Sequence, residues 1–581
     1  MNPLSTILKK RILPFVLCLS FAASAFTGCN HAEEGISFDE FTHELFINEI
    51  TANTINLHYT IENPKSYGIT DYEVSLGDFS KETRASSKSE LQELKTQLET
   101  YQTAKLTLEE ELTYNLLSDY LDNQIALCDY DLYYEPLAFS GGLQMELPIL
   151  YAEYEFQNEQ DVKDYLELIS LTDEYFDQLM DFEKEKSDAG LFMSDALCEK
   201  VIDSCEAFLE NKENHYLIST FSNRLGKLEL SEQKTASYTR QNKEILDKQL
   251  YPAYEELISG LKSLLGTGTN DGGVCHFENG KDYYELLVYS ETGCNDTIDE
   301  LFERIENQCM KDLVICSNLY QKDNTILEKS TYLEWEFESP DAALLALQKE
   351  LLEEFPAPPE TSYVINYVDP ALEEFLAPAF YIVAPIDNYE ENVIYINEGY
   401  VSSDLYAFTT LAHEGYPGHL YQTVMTYNYE YPDVRSILNY SGYVEGWATY
   451  VEMMAYDYAD IDDDVASFLS HNQAATLSLY AASDIGLHYY GWTAEDMYNF
   501  WAGYGITDKD TITEITQLIL SEPGDYLKYY VGYIEFLELK DYAKQQFSDD
   551  YSDLKFHQAV LDIGPAPFHI IEAYLKDFYK N

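Results

Sequence analysis

The chain has 581 residues, and its 104 Asp and Glu against 35 Lys and Arg leave a formal net charge of −69. That balance excludes a nucleic-acid-binding protein, whose hold on a polyanion comes from clustered Lys and Arg, and it disfavours unaided docking on anionic lipid. A hydrophobic content of 46% with 14% aromatic residues excludes an acidic disordered chain and supplies ample material for a core.

At the N-terminus, Lys9, Lys10 and Arg11 precede an apolar run from Ile12 to Ala25 that is too short to cross a bilayer as a stable helix, and it reads as the core of a secretion signal. The run ends in Ala25-Phe26-Thr27-Gly28-Cys29. This resembles a bacterial lipoprotein signal in which Cys29 is acylated, palmitate being one such chain, and becomes the mature N-terminus, although Phe26 stands where such signals favour Leu. Residues 1–28 are therefore read as signal peptide and 29–36 as a tether. The expected location is extracytoplasmic, with membrane contact only through a lipid anchor on the bacterial cell membrane.

From Ser89 to Leu117, leucines and tyrosines recur every three or four residues among charges, and similar spacing fills 161–183, 192–212, 235–265, 296–321 and 340–355. Amphipathic helices follow from that period, so the predicted fold class is mainly α. Cys198 and Cys205, like Cys309 and Cys316, are seven apart on one helical face, about 10 Å along the axis and beyond disulfide reach, which makes them packed thiols. Cys275 and Cys294 flank a strand or loop and could pair in an oxidising compartment. The acidic run Asp457 to Asp464 lacks the Gly turn and spaced ligands of a calcium loop and reads as a solvated face. The pattern changes at Phe355-Pro356-Ala357-Pro358-Pro359, which divides an N-terminal helical region, 37–355, from a catalytic helical region, 356–581. Beyond it, Phe380–Val383 and Val393–Asn397 read as β-strands, a small β element ahead of the most informative helix.

That helix is predicted over Ser402–Glu414 and runs into His413-Glu414-Gly415-Tyr416-Pro417-Gly418-His419. Zinc peptidase helices usually carry two histidines at i and i+4, one face of a turn, with the Glu after the first as base. Here the interval is six. On an unbroken helix the second imidazole would lie about 120° off that face and about 9 Å along the axis. Pro417 removes a helical N–H and disfavours helix at Tyr416, and Gly418 tolerates whatever φ the redirected chain needs, so a break there could return His419 to His413. Further on, Tyr443-Val444-Glu445-Gly446-Trp447-Ala448-Thr449-Tyr450-Val451-Glu452 carries acids at i and i+7, one of which could face inward as a third ligand. Glu445 is preferred because Gly446 beside it permits close approach to another backbone, whereas Glu452 could be solvated.

HEGYPGH (413–419) and EGWATY (445–450) resemble a bacterial family catalogued as domain of unknown function 885, helical proteins similar to zinc metallopeptidases of the gluzincin kind. The resemblance continues through Gly280-Lys281-Asp282-Tyr283-Tyr284, Ile394-Tyr395-Ile396-Asn397, Asp484 to His488 with Gly491-Trp492, Glu522-Pro523-Gly524 with Tyr529 and Gly532, and Phe556-His557 with Leu561, Gly564 and Pro567, nearly the whole mature chain. Departures fall at Leu420-Tyr421-Gln422, where another His and a Leu often precede Gln, and at Asp525, often Gln.

The resemblance implies a large helical body around a deep cleft and hydrolysis of a peptide substrate with zinc as cofactor: His413, His419 and Glu445 as ligands and Glu414 as the base that takes a proton from zinc-activated water. Tyr529 and His488 are candidate donors to the oxyanion, each with an ordinary packing role as the alternative. Arg435 could bind a peptide carboxylate or simply form a surface salt bridge, and the strand ending at Asn397 could pair with an extended substrate or be covered by a helix. His557 reads as structural or as support behind a ligand. Two rivals remain: a surface lipoprotein that binds peptide or another ligand with only a structural metal, from which the acid Glu414 beside a ligand distinguishes a hydrolase, and a calcium buffer, which the dispersed acids disfavour.

Overall fold

The computed structural model describes residues 35–331, 337, 339–368, 373, 377–399, 404–429 and 431–580, and about 70% of it is helical with one small sheet. The mainly α expectation holds. The signal peptide, most of the tether and Cys29 lie outside the described residues, and among the described residues no helix is long and apolar enough to cross a membrane.

Two compact units divide at residues 271/272, and Pro432–Leu438 groups with the N-terminal one. That division differs from the boundary expected at 355/356, because the long helix Ile298–Lys322 packs along Asp463–His488 rather than with the helices before it. The N-terminal unit is built of helices including Phe38–Ala52, Lys81–Leu98, Leu108–Leu127, Glu159–Ser170 and Thr172–Ala189. The helix read across Ser89–Leu117 is two helices. Thr107 starts a second one with a capping box, its hydroxyl accepting from Glu110 N while the Glu110 carboxylate accepts from Thr107 N, which satisfies donors a continuous helix would not expose.

In the second unit, numbered within it, α1 is Gly280–Thr292, α2 Ile298–Lys322 and α3 Pro340–Leu351; β1 is Ser362–Tyr367, β2 Ala379–Ile382 and β3 Glu391–Ile396; α4 is Asp404–Glu414, α5 His419–Asn428, α6 Ser441–Ala455, α7 Asp463–His488, α8 Asp525–Gln546 and α9 Asp553–Ile563. The sheet order is β1-β3-β2, with β1 parallel and β2 antiparallel to β3. Both expected strands are present within two residues of their predicted ends; β1 was not foreseen, since its partly exposed run alternates too weakly to declare itself. The acidic run is partly a cap: Asp462 accepts from the backbone of Asp464 and Val465 to open α7.

The core of this unit is helix on helix. α6 and α8 approach so closely that a Cβ on Gly446 would lie 2.4 Å from Gly532 Cα, and one on Gly532 would lie 2.1 Å from Gly442 O. The close approach expected from Gly446 is thus real, and both helices need glycine at the crossing. The four paired-spacing cysteines are buried and free. Cys275 and Cys294 are also free: Cys275 Sγ donates to Leu487 O, while Cys294 Sγ accepts from Arg304.

Candidate metal centre

α4 ends at Glu414, and α5 begins at His419 after a break over Gly415–Gly418 that includes a cis Tyr416–Pro417 bond. The break returns the second histidine to the first, with ring centroids 4.8 Å apart. Gly418 is needed for space rather than for an unusual φ: its φ is −80°, but a Cβ there would fall 1.7 Å from His413 O and 2.4 Å from Ala412 O. The chain doubles back against the last carbonyls of α4, and only glycine fits. Trp447 Nε1 donates to Pro417 O at 2.8 Å, pinning the bend to α6.

From α6, Glu445 enters the same space. Its Oε2 lies 3.6 Å from His413 Nε2 and 3.5 Å from His419 Nε2, and the donor atoms of all three residues fall within 4.8 Å of one another. Donors sharing one tetrahedral zinc at bonds of about 2.0–2.1 Å stand roughly 3.4 Å apart, so two of these separations are already those of common ligation. All three side chains are buried, yet His413 Nε2 and both Glu445 oxygens have no hydrogen-bond partner. Buried polar atoms left unmatched in this way call for a missing partner. Two imidazoles and one carboxylate converging on one point fit zinc by both donor chemistry and spacing.

The electrostatics agree. Burial disfavours a charged His413, but Glu445 and Glu452 outweigh it and hold the imidazole up at about 10; burial likewise opposes ionised Glu445, whose pKa the two histidines nevertheless draw well below the usual carboxylate range. The pocket favours positive charge at its centre.

Glu414 is 1% exposed, and its Oε2 accepts from Tyr381 N of β2 at 2.9 Å while Oε1 has no hydrogen-bond partner. Burial raises its pKa against the pull of His413 and His419. Tyr529, on the first turns of α8, is held protonated by burial, with the negative charge of Glu445, Asp525 and Glu414 acting in the same direction.

Other sequence candidates have different surroundings. His488 is a structural histidine: Nδ1 accepts from Val274 N at 3.2 Å, Nε2 donates to Ile519 O at 3.0 Å, and burial lowers its pKa to about 4. Both nitrogens are engaged, so it has no N–H for an oxyanion. Asn397 bridges a loop, its amide donating to Glu373 O and its carbonyl accepting from Gly399 N. Arg435 is buried on a 3-10 turn, Asp433–Ile437, which groups with the other unit. His557 donates from Nδ1 to Glu354 O at 2.7 Å and accepts from Tyr450 at Nε2, a structural role.

Glu452 is not solvated. It is 3% exposed and accepts from His413 Nδ1 at 3.1 Å, on the side of the ring away from Glu445, and lies outside the three-residue donor cluster. Its i+7 spacing from Glu445 was the signal, since seven residues are nearly two turns and put both acids on one face. The Tyr381 amide and the Trp447 clamp carried no sequence signal of their own. A second set of potential donors, Cys294, Asp296 and Glu535, encloses Arg304, whose guanidinium donates to all three, Glu535 at 2.8 Å and Cys294 at 3.5 Å. A resident cation already fills it.

The molecule is thus a mainly helical protein with a buried two-histidine, one-glutamate donor cluster at a broken helix. The chain belongs to the family described as bacterial protein of unknown function (DUF885), whose model matches residues 62–575. A candidate lipoprotein of Colwellia psychrerythraea has a similar structure at TM-score 0.83 and 17% identity, over 94% of this chain and 100% of that one. A candidate lipoprotein of unknown function from Shewanella oneidensis is similar at TM-score 0.62 and 17% identity, over 93% and 99%. No curated protein matches the chain.

Proposed function

We propose that this protein is a zinc-dependent peptide hydrolase, held outside the cytoplasm by a lipid on Cys29. The observation that carries the reading is the convergence of His413, His419 and Glu445 with unmatched buried donor atoms, beside a carboxylate, Glu414, that has one oxygen anchored and the other without a partner. His413 Nε2, His419 Nε2 and a Glu445 oxygen would hold the metal. Zinc bound there supplies a Lewis acid that polarises a peptide carbonyl and acidifies water. Glu414 Oε1 is the acceptor for the attacking water's proton, and the Tyr381 amide on Oε2 keeps the carboxylate from turning away as it shuttles that proton to the leaving amine. The Tyr529 hydroxyl is a donor for charge developing on the substrate oxygen. The lipid anchor is supported by the Ala25 to Cys29 signal and by the description of both structural neighbours as candidate lipoproteins.

The deciding experiment compares Glu414→Gln with ligand variants. Glu414→Gln should keep about one zinc per chain while hydrolysis of a mixed peptide library falls by about 10² or more, the scale of lost general-base work. His413→Ala, His419→Ala or Glu445→Ala should lose metal and activity together. A wild-type protein that holds zinc and cleaves nothing would favour a peptide-binding lipoprotein with a structural metal. Cys29→Ser should release the protein from the membrane fraction.

A further inference from the structure

Behind the donor cluster, Glu452 is itself held by a second layer of groups. Its Oε2 accepts from His413 Nδ1 at 3.1 Å, and its Oε1 accepts from Gln473 Nε2 on α7 at 2.9 Å. Gln473 Oε1 accepts from the hydroxyl of Tyr456, in the 3-10 turn Tyr456–Tyr458 after α6, at 3.0 Å. A carboxylate has only acceptors to offer, so the chain has one consistent polarity. His413 must carry its proton on Nδ1; Gln473 must turn its NH2 to Glu452 and its carbonyl to Tyr456. With the Nδ1 proton held by Glu452, the proton that a metal would displace is the one on Nε2, the nitrogen that faces Glu445 and has no hydrogen-bond partner, and its loss leaves the lone pair there.

We infer that Tyr456, Gln473 and Glu452 form a positioning relay that fixes His413 in the tautomer and ring orientation needed to ligate a divalent metal through Nε2, so that Gln473 and Tyr456 set the affinity of a centre through Glu452 and not by ligation. The inference rests on the reading of the cluster as a metal centre. Without the relay a neutral imidazole has two tautomers and a ring flip available, and only part of that ensemble presents a lone pair to the cluster. With it, a buried chain of hydrogen bonds selects one state, and a carboxylate behind the ring also makes the ligand more basic. His413 and Glu452 are 1% and 3% exposed, so water cannot readily replace a missing member.

A helix tie would explain the same contacts without any effect on metal. Ser470 provides the control, because its hydroxyl also joins α7 to α6, donating to Met453 O at 3.1 Å, but by way of backbone and not through Glu452. Zinc affinity is measured on the mature chain by competition with a chromophoric chelator, the cobalt(II) absorption spectrum reports ligand geometry, and circular dichroism confirms folding. Glu452→Ala and Gln473→Leu should weaken zinc binding by about 10- to 100-fold and alter the cobalt spectrum, and Tyr456→Phe should do so more weakly. Ser470→Ala should leave both unchanged. If Glu452→Ala does not fold, Gln473→Leu and Tyr456→Phe still decide. A wild-type chain that takes up no zinc or cobalt overturns the metal-centre reading and the relay with it. A metal-binding wild type alongside a folded Gln473→Leu of unchanged affinity and spectrum overturns the relay alone, as does a loss in Ser470→Ala equal to that in Gln473→Leu.

Discussion

Substituting Gly446 by alanine tests whether the crossing of α6 and α8 builds the site. The added Cβ would meet Gly532 Cα at 2.4 Å, its carbonyl carbon at 2.5 Å and its oxygen at 2.9 Å, all backbone. Carbon atoms settle at about 3.5–4.0 Å, so the helices must part by roughly 1 Å or more. Alanine returns up to about 1 kcal/mol of helix propensity, while overpacking against an immovable backbone partner costs about 3 kcal/mol at the upper end of the usual range, so the net is destabilising by about 2 kcal/mol. The displacement falls on the residue next to Glu445, and a shift of that size at a proposed ligand should lower zinc affinity as well. Gly260→Ala is the comparison, since the three atoms its Cβ would meet first, Met180 Cε, Sδ and Cγ at 2.6, 2.9 and 3.2 Å, all belong to one flexible side chain, and its cost should stay near zero. Urea unfolding with zinc titration measures both. Equal midpoints for Gly446→Ala and Gly260→Ala, with zinc binding intact, would show that the close helix approach does not hold the centre in place.

Two buried groups give the stability profile opposite limbs. Burial raises Glu49 from 4.5 to about 8, so its contribution is fully present below pH 4.5 and is lost as pH rises toward 8; Glu49→Gln should remove that loss and gain on the order of 2–4 kcal/mol at pH 8 by urea unfolding. Burial lowers His557 from 6.5 to about 3, so its contribution is present above pH 6.5 and lost as pH falls toward 3, and His557→Gln, which keeps a donor and an acceptor, should flatten that acid limb. Loss of Lys9, Lys10 and Arg11 with the signal peptide takes the net charge from −69 to −72, which should make Lys-rich peptides better substrates than Glu-rich ones at low salt, with rates converging as the Debye length shortens to about 8 Å near 0.15 M; equal rates at low salt would refute long-range steering.

What the sequence made legible and what it hid follow from the range of each interaction. Helical periodicity and the strands at 379–382 and 391–396 are set by neighbours a few residues apart; the strands were readable to within a residue or two, the helices in type but with ends off by several residues, as where 161–183 is the two helices Glu159–Ser170 and Thr172–Ala189, and the break between Leu98 and Thr107 was hidden because leucines continue across it while the capping that makes it is polar. In HEGYPGH the proline announced a bend that could reunite the histidines, but the reason for glycine at 418 is a carbonyl of the preceding helix, a distance that no one-dimensional pattern contains. Glu445 and Glu452 were indistinguishable by spacing, since both lie on the buried face of α6. They differ in which histidine nitrogen they meet: Glu445 approaches Nε2 of His413, and Glu452 accepts from Nδ1 of the same ring. Its second contact comes from Gln473, 21 residues away on another helix. His488 shows the converse, a histidine in a shared motif whose ring holds two backbone segments together. Residue type and order proposed the chemical groups, and whether each meets backbone, another side chain or the His413, His419 and Glu445 donor cluster is decided by contacts between helices far apart in the chain.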